Sequence, residues 1–382
     1  MSIRDTHRLL PGADGTAHHL YVDRFGPSGT GRKVYVQAGL HADEVPGMLV
    51  AAWLKTRLRA LEEAGSLRAE CVVLSVANPI GLGQAVLGYP LGRFDLASGR
   101  NFNRGFPMLA AQIGDAIEGR LNGDAIEGRL NGDALHNRAV VREAWRELLD
   151  KAAPRHPVDD LQRTLMQLSI DADIVLDLHC SREAAMHIYT GEAIWNEAEP
   201  LARYLGARAS LLAFDSGGQS FDEAHSLTWW QLQERFRGRY PIPNGCVSVT
   251  VEHRGQRDVS DELARQDAEA IISYLTYAGM IDAAVEPLPP LPHPATPLAG
   301  SEQFYAPATG VLLHRVEEGA HVQAGDEMFV VVDPVEGTRT AVHSSTSGVF
   351  YMRRDVRYVR AGDPLGRVTG EKTLRSGYLL GA

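Results

Sequence analysis

Short apolar runs alternate with longer amphipathic segments up to about residue 277, and this alternation limits the possible folds more than any other feature. The run at 33–39 is followed, at about 45–64, by apolar residues at helical spacing. A second run, 71–77, stops at the turn signal Asn78-Pro79. A strand–helix–strand unit is typical of an α/β sheet with helices on its faces. We therefore predict an α/β fold with a mixed twisted sheet flanked by helices.

The same pattern continues beyond this first unit. It predicts further buried strands at 174–178, 186–189 and 247–251, and helices at about 134–149 and 260–277.

A nine-residue duplication interrupts the pattern, because residues 115–123 recur unchanged at 124–132. A repeat this short is not a solenoid, which needs longer units and several copies. We interpret it as a local duplication in a surface insertion.

Length and charge limit the possible partners. The 382 residues suffice for one large domain and a smaller one. A formal charge of −10 predicts no nucleic-acid or anionic-membrane partner, because both would repel the chain.

Three cysteines form no disulfide framework, and no apolar run suggests a signal or a membrane span, so we expect a cytoplasmic protein. A homo-oligomer is compatible with the sequence, and the oligomeric state stays open.

The C-terminal part has a different composition. Six prolines between Pro287 and Pro297 indicate a stiff, extended connector. An all-β pattern follows, in which 309–311 (TGV) resembles 347–349 (SGV) and 322–326 (VQAGD) resembles 359–363 (VRAGD). Two related β halves resemble the barrel-sandwich of biotinyl and lipoyl carrier domains, yet residues 301–370 contain no lysine that could carry a cofactor.

Ionisable side chains stand where the predicted strands end. His41 and Glu44 follow the first strand, and imidazole and carboxylate both suit zinc. Asp177 and His179 lie two apart on a later strand, so they face the same side. His179 is then a third ligand, and Asp177 a partner that orients one of the histidines. The alternatives are a solvated pair at a helix start and a hydrogen-bonded pair in the core.

Two further segments offer substrate contacts and a proton acceptor. Asn103 and Arg104 can hold a carboxylate, Arg104 through the planar fork of its guanidinium, although a basic surface loop would look the same. Glu252, at the end of a strand, suits a general base that takes a proton from water and passes it to a leaving amine. Its alternative is an edge carboxylate paired with Arg254.

Together these segments resemble the succinylglutamate desuccinylase/aspartoacylase family, a branch of the zinc carboxypeptidase-like hydrolases. The family motifs G-x-H-x-x-E, D-L-N-R-x-F-P, D-L-H and T-x-E correspond in order to 39–44 (GLHADE), 101–107 (NFNRGFP), 177–179 (DLH) and 250–252 (TVE). Two positions depart from the family pattern: Ala42 replaces a frequent glycine, and Asn101 replaces an aspartate.

The resemblance implies a role for each matching residue. One zinc ion per chain would be bound by His41, Glu44 and His179, and Glu252 would be the proton shuttle. Asn103 and Arg104 would hold the substrate carboxylate. A further arginine would polarise the scissile carbonyl, either Arg93, which we favour, or Arg100.

The resemblance also implies domains and an activity. We expect a catalytic domain at 1–284, a proline-rich linker at 285–300 and a lysine-free β barrel-sandwich domain at 301–370. The expected activity is zinc-dependent deacylation of a small N-acyl amino acid, whose acyl group and amino acid stay open. The alternatives are a metallocarboxypeptidase that acts on peptides and a non-catalytic metal-binding scaffold.

Overall fold

A computed structural model describes residues 3–13, 15–119 and 129–380. Its strands in chain order are β1 (Ile3–Arg8), β2 (His19–Phe25), β3 (Lys33–Ala38), β4 (Glu70–Leu74), β5 (Ala85–Val86), β6 (Tyr89–Pro90), β7 (Ile174–Ser181), β8 (Glu183–Ala184), β9 (His187–Gly191), β10 (Ala209–Ala213), β11 (Val247–Gly255), β12 (Thr296–Pro297), β13 (Glu302–Tyr305), β14 (Gly310–His314), β15 (His321–Val322), β16 (Glu327–Val332), β17 (Arg339–His343), β18 (Gly348–Arg353), β19 (Tyr358–Val359) and β20 (Pro364–Val368). Its α-helices are α1 (Pro46–Glu63), α2 (Pro79–Leu82), α3 (Ala110–Ile117), α4 (Ala134–Lys151), α5 (Pro157–Ser169), α6 (Trp195–Leu205), α7 (Phe221–Phe236) and α8 (Asp261–Tyr277). Residues 120–128, the middle of the duplication, lie outside the described residues.

A nine-stranded mixed sheet forms the centre of the molecule, in the order β1-β2-β4-β3-β7-β11-β9-β10-β12. The four strands β4, β3, β7 and β11 run parallel to one another, whereas β2 and β9 flank them in the antiparallel direction. Since parallel strands end at the same edge, the residues that follow β3 and those at the ends of β7 and β11 meet there.

Alternate side chains of the central strands pack against helices on opposite faces of the sheet. On β3, Tyr35 faces a core built with α3, α4, α5 and α7. Its neighbours Val34 and Val36 face a second core, built with α1, α6 and α8. Both cores exclude water from the sheet, which is what makes the near-continuous apolar runs of β3 and β7 favourable. The predicted mixed α/β fold with flanking helices is confirmed.

The element ends differ from the prediction at two strands that matter for the site. β4 ends at Leu74, three residues before the predicted end, whereas β11 continues past the predicted end to Gly255 and carries Glu252 within the strand.

The C-terminal strands form two small antiparallel sheets. One has the order β13-β20-β18-β15, and the other β17-β16-β14-β19. The two sequence repeats exchange their short strands: β15 of the first repeat pairs with β18 of the second, and β19 of the second pairs with β14 of the first. This reciprocal pairing agrees with the predicted pseudo-symmetry, while the barrel-sandwich assignment itself stays a prediction.

Two short strands lie where the chain passes between the large sheet and the C-terminal sheets. Within the predicted linker, Thr296–Pro297 forms β12, which pairs in parallel with β10 at the edge of the nine-stranded sheet. Glu183–Ala184 forms β8, directly after β7, and pairs with β18. None of the helices in the described ranges is long and apolar enough to cross a membrane.

Gly47 allows α1 to pack closely on β7. A Cβ atom at this position would lie 2.8 Å from the carbonyl oxygen of Leu178, the residue before His179. Real Cβ atoms do not approach backbone oxygens so closely, so a side chain here would push the helix and the strand apart.

We therefore expect Gly47→Ala to lower the free energy of unfolding by about 1–3 kcal/mol, the usual cost of overpacking. The measurement is urea unfolding of the variant beside Gly132→Ala, because a Cβ at Gly132 would meet nothing within 4 Å. Equal stability of the two variants would contradict this account of the helix–strand contact.

Candidate metal centre and active site

The ends of three adjacent parallel strands bring the predicted site residues together. The loop after β3 carries His41 and Glu44, β7 carries His179, and β11 carries Glu252. His179 and Glu252 are direct neighbours in the register of β7 and β11. Residues more than 200 positions apart in the chain thus surround one point.

The three predicted ligands form a compact buried cluster. His41 Nδ1 lies 3.0 Å from Glu44 Oε1, and His179 Nδ1 lies 2.7 Å from Glu44 Oε2. Ligand atoms of all three residues lie within 4.8 Å of one another. Two imidazoles and one carboxylate are a donor set that suits zinc and leaves a fourth coordination position for water or substrate. The group could therefore hold one metal ion.

The outer ring nitrogens of both histidines have oxygen partners. His41 Nε2 lies 2.8 Å from Asn101 Oδ1, and His179 Nε2 lies 2.9 Å from Asp177 Oδ2. Asn101 Oδ1 accepts from His41 Nε2, and in the neutral imidazole this leaves the lone pair of Nδ1 toward the centre. Asp177 is itself held by Gln37, whose Nε2 donates to its Oδ1 over 3.0 Å.

The pKa values in the cluster reflect charges that compensate one another. Burial, followed by the Arg93 charge, lowers the pKa of His41 to about 4. Burial also disfavours a charged His179, but Asp177 and Glu44 outweigh it and raise that pKa well above its usual range. Burial alone would raise the pKa of Glu44, yet the two histidines lower it well below its usual value. An ionised carboxylate is thus held at the centre, as a cation site requires.

Glu252 has the opposite shift. Burial, followed by the Glu44 charge, raises its pKa to about 7. Its Oε2 accepts a hydrogen bond of 3.3 Å from the Ser181 hydroxyl. Arg254 does not pair with it: its guanidinium donates two hydrogen bonds, of 2.9 and 2.8 Å, to Asp267. The alternative interpretation of Glu252 as a partner of Arg254 is therefore wrong.

The two alternative arginines lie in different places. Arg93 Nη1 lies 3.2 Å from Glu44 Oε1 and lines the cavity, whereas Arg100 pairs with Asp159 at 2.5 Å and does not line it. Of the two, Arg93 alone lines the cavity, and its role as the carbonyl-polarising group stays a prediction.

The two predicted substrate contacts, Asn103 and Arg104, also line the cavity. The Asn103 amide is partly used by the protein, since its Oδ1 accepts from the Phe221 backbone N–H at 2.8 Å. Arg104 Nη1 donates to the Asn103 carbonyl oxygen at 2.6 Å, which holds the two residues in a fixed relation.

One cavity of about 810 Å³ is lined by all seven predicted site residues: His41, Glu44, Arg93, Asn103, Arg104, His179 and Glu252. Its wall includes residues of the β13-β20-β18-β15 sheet, of the loop after β18 and of the segment after β20: Gln303, Tyr305, Met352, Arg353, Arg354, Asp355, Val356, Pro364, Leu365, Gly366, Arg367, Arg375, Tyr378, Leu379 and Leu380. The main-chain N–H of Leu379 donates to the Ser216 carbonyl oxygen at 2.9 Å and fixes this end of the chain against the α/β part.

Comparisons with known proteins agree with the motifs. The model of the succinylglutamate desuccinylase/aspartoacylase catalytic domain matches residues 30–124. A putative succinylglutamate desuccinylase/aspartoacylase family protein of Shewanella amazonensis has 26% identity and a TM-score of 0.77, over 96% of this chain and 98% of that one. The predicted resemblance to this family is confirmed.

Other solved structures share the fold over nearly the whole chain. A putative succinylglutamate desuccinylase/aspartoacylase of Shewanella frigidimarina has 23% identity and a TM-score of 0.78, over 97% of both chains. The product-bound ectoine utilization protein EutE (DoeB) of Ruegeria pomeroyi has 15% identity and a TM-score of 0.66, over 97% of this chain and 95% of that one. No curated protein matches the sequence.

The departure from the family pattern at Asn101 leaves the centre intact. The amide oxygen of Asn101 still accepts from His41, as the aspartate of the family motif could, but it adds no negative charge. This contact gives Asn101 a role at the site, whereas the sequence alone showed only that it differs from the family motif. Gln37 was missed altogether, although a polar residue within the apolar run of β3 is a signal that could have indicated it.

Three other residues near the site have ordinary structural roles. Cys180 is buried, and burial raises the pKa of its thiol, so it is not a nucleophile. His187 packs beside Tyr189 and Tyr351, with its Nδ1 2.8 Å from the Ala185 carbonyl oxygen. Glu183, whose role the sequence left open, accepts from Arg353 of β18 at 2.7 Å.

We expect His179→Gln to weaken zinc binding by more than about 100-fold, since loss of an outer hydrogen-bond partner alone typically costs 10–100-fold. The measurement is zinc content after loading and desalting, with His187→Gln as the matched control. One zinc retained per chain in His179→Gln, or its loss in the control, would contradict the ligand assignment.

Proposed function

We propose that this protein is a zinc-dependent amidohydrolase that cleaves the linear amide bond of a small N-acyl amino acid. One observation carries the proposal: a carboxyl group with a pKa of about 7, Glu252, shares a cavity with the buried cluster of His41, Glu44 and His179. A potential metal site alone would serve a scaffold equally well. A proton acceptor poised near neutral pH beside it favours a hydrolase.

His41, Glu44 and His179 would hold the zinc ion, which when bound polarises a carbonyl oxygen and lowers the pKa of water. Glu252 takes the proton of the attacking water and gives it to the departing nitrogen. Its environment suits both steps, because a group with a pKa near the working pH exchanges protons in either direction. The Ser181 hydroxyl, which donates to Glu252 Oε2, keeps the carboxyl group oriented during the exchange.

Two arginines would orient the substrate and stabilise charge. Arg93, held at 3.2 Å from Glu44, can donate to the oxygen that becomes negative when the carbonyl is attacked. Arg104, together with Asn103, would bind the carboxylate of the amino acid through its planar guanidinium. Fixing that carboxylate sets the distance between the amide and Glu252.

The cavity wall favours small substrates over peptides. Residues of the predicted β domain at 301–370, and of the segment after it, form part of the cavity wall together with residues of the α/β part. A long peptide would have to pass this wall, whereas a free N-acyl amino acid fits within about 810 Å³. This is our reason for preferring the deacylase to a metallocarboxypeptidase.

We expect Glu252→Gln to keep one zinc ion per chain and to lower kcat by about 10²–10⁴-fold, because the amide cannot accept a proton. The measurement is hydrolysis of a panel of N-acetyl and N-succinyl amino acids by the zinc-loaded protein. The control is Glu192→Gln, since Glu192 is exposed and does not line the cavity. Near-normal turnover in Glu252→Gln would remove this residue from the mechanism, and no turnover of any substrate by the unaltered protein would refute the proposed function.

A further inference from the structure

The strand that carries Glu252 is irregular directly after this residue. β11 pairs with β7 in regular register up to Glu252, and the next pair involves Gly255. Between these two pairs β11 has His253 and Arg254, whereas β7 has only Cys180. This extra residue is a β-bulge, which bends its strand and redirects the neighbouring side chains. Bulges are over-represented next to active sites, so this one may be examined for a part in the chemistry of Glu252 by its contacts.

The backbone of the bulge has a conformation that side chains disfavour. Arg254 has a φ of 61°, in the left-handed region. There the Cβ atom of an L-residue comes too close to the following carbonyl oxygen, which is why glycine is the usual residue at such a position. A strained conformation of this kind persists only where the surrounding structure holds it.

The left-handed turn also decides where the Arg254 side chain lies. Side chains of a regular strand alternate between its two faces, so residues 250, 252 and 254 would share one face. Thr250 and Glu252 line the cavity, whereas Arg254 does not. The Arg254 guanidinium instead reaches Asp267 of α8, which His253 also contacts from the opposite face of β11. The bulge thus keeps a cation away from the face on which Glu252 lies.

One carboxylate of α8 holds both residues of the bulge. Asp267 is 4% exposed, and its Oδ2 lies 2.8 Å from His253 Nδ1. Arg254 donates to Asp267 Oδ2 at 2.9 Å and to Oδ1 at 2.8 Å. A buried ion pair is weak evidence for stability, because apolar residues of similar volume often stabilise a protein as well or better. The best-attested use of such a pair is to fix one arrangement of the chain, and here that arrangement is the one directly after Glu252.

The surroundings of Glu252 link its position to the bulge. Gly255, where pairing with β7 resumes, lies opposite Ser181, whose hydroxyl donates to Glu252 Oε2 at 3.3 Å. On the other side of β11, the last pair with β9 in the described part of the chain is that of Glu252 with His187. Beyond Glu252 the contacts with Asp267 therefore fix the strand on the side where pairing with β9 has ended.

We infer that Asp267 is a positioning residue for the proposed general base: it holds the bulge at His253 and Arg254 and thereby orients Glu252 toward the substrate amide. The inference rests on the proposed function and adds to it a residue that does not line the cavity. A displacement of a reacting group by about 1 Å can lower the rate by about 100-fold, so a contact behind the strand can govern turnover.

Substitution of Asp267 should separate turnover from binding. In zinc-loaded Asp267→Ala we expect kcat for the N-acyl amino acid that the unaltered protein hydrolyses fastest to fall about 10–100-fold. KM should change less than about threefold, and one zinc ion per chain should remain, because neither the substrate contacts nor the ligands are altered. Asp267→Asn keeps one acceptor oxygen and should have an intermediate kcat. Glu269→Gln is the matched control, since Glu269 lies on the same helix but pairs with Arg57 at the surface.

Two substitutions of Arg254 test the backbone conformation itself. Arg254→Gly and Arg254→Ala both remove the ion pair, but only glycine adopts a positive φ without steric cost. We therefore expect Arg254→Gly to keep a kcat about threefold or more above that of Arg254→Ala. Arg254 is only half-buried, so these two variants decide the matter if Asp267→Ala fails to fold.

Crystal structures of the zinc-loaded variants separate this inference from the proposed function, because they need no substrate. In Asp267→Ala and Arg254→Ala we expect the Glu252 carboxyl group to move by about 1 Å or more and to lose its contact with Ser181. If it moves and no tested amide is hydrolysed, the positioning role stands and the proposed function fails. An unmoved Glu252 in both variants, or kinetic constants of Asp267→Ala equal to those of Glu269→Gln, would overturn the positioning role.

Discussion

The site depends on one buried interaction, in which the Glu44 carboxylate lies between the imidazoles of His41 and His179. The contact joins the loop after β3 to the end of β7, two strands that pair in parallel at the centre of the sheet. Apolar cores on both faces fix these strands, so the three side chains are held in place before any ligand arrives. The main-chain N–H of Cys180 also donates to Glu44, at 3.2 Å.

The sequence was sufficient to predict those parts of the site that follow from strand ends. β3 and β7 are apolar runs that stop at ionisable residues, so the position of His41, Glu44 and His179 at one edge follows from parallel pairing. The contacts of their outer nitrogens were predictable only in part. Asp177 shares a strand with His179 and was expected beside a histidine, whereas Asn101 reaches His41 across 60 positions of chain, which no local pattern reveals.

The C-terminal wall was the least predictable feature. The repeats indicated two related β halves. They did not indicate that β8, which directly follows the strand β7 that carries His179, would pair with β18. The repeats also could not show that Arg353 donates to the carboxylate of Glu183, whereas Arg367 donates to Gln303 and lies beside tyrosine hydroxyl groups. Charge pairing of this kind is decided by tertiary packing.

X-ray absorption at the zinc edge tests the central claim most directly, because it reports the donor atoms of the bound ion itself. For the zinc-loaded protein we expect two imidazole nitrogens and oxygen donors at about 2.0–2.2 Å, with no sulfur. Sulfur at about 2.3 Å, or a shell of oxygens without imidazole, would contradict the centre formed by His41, Glu44 and His179.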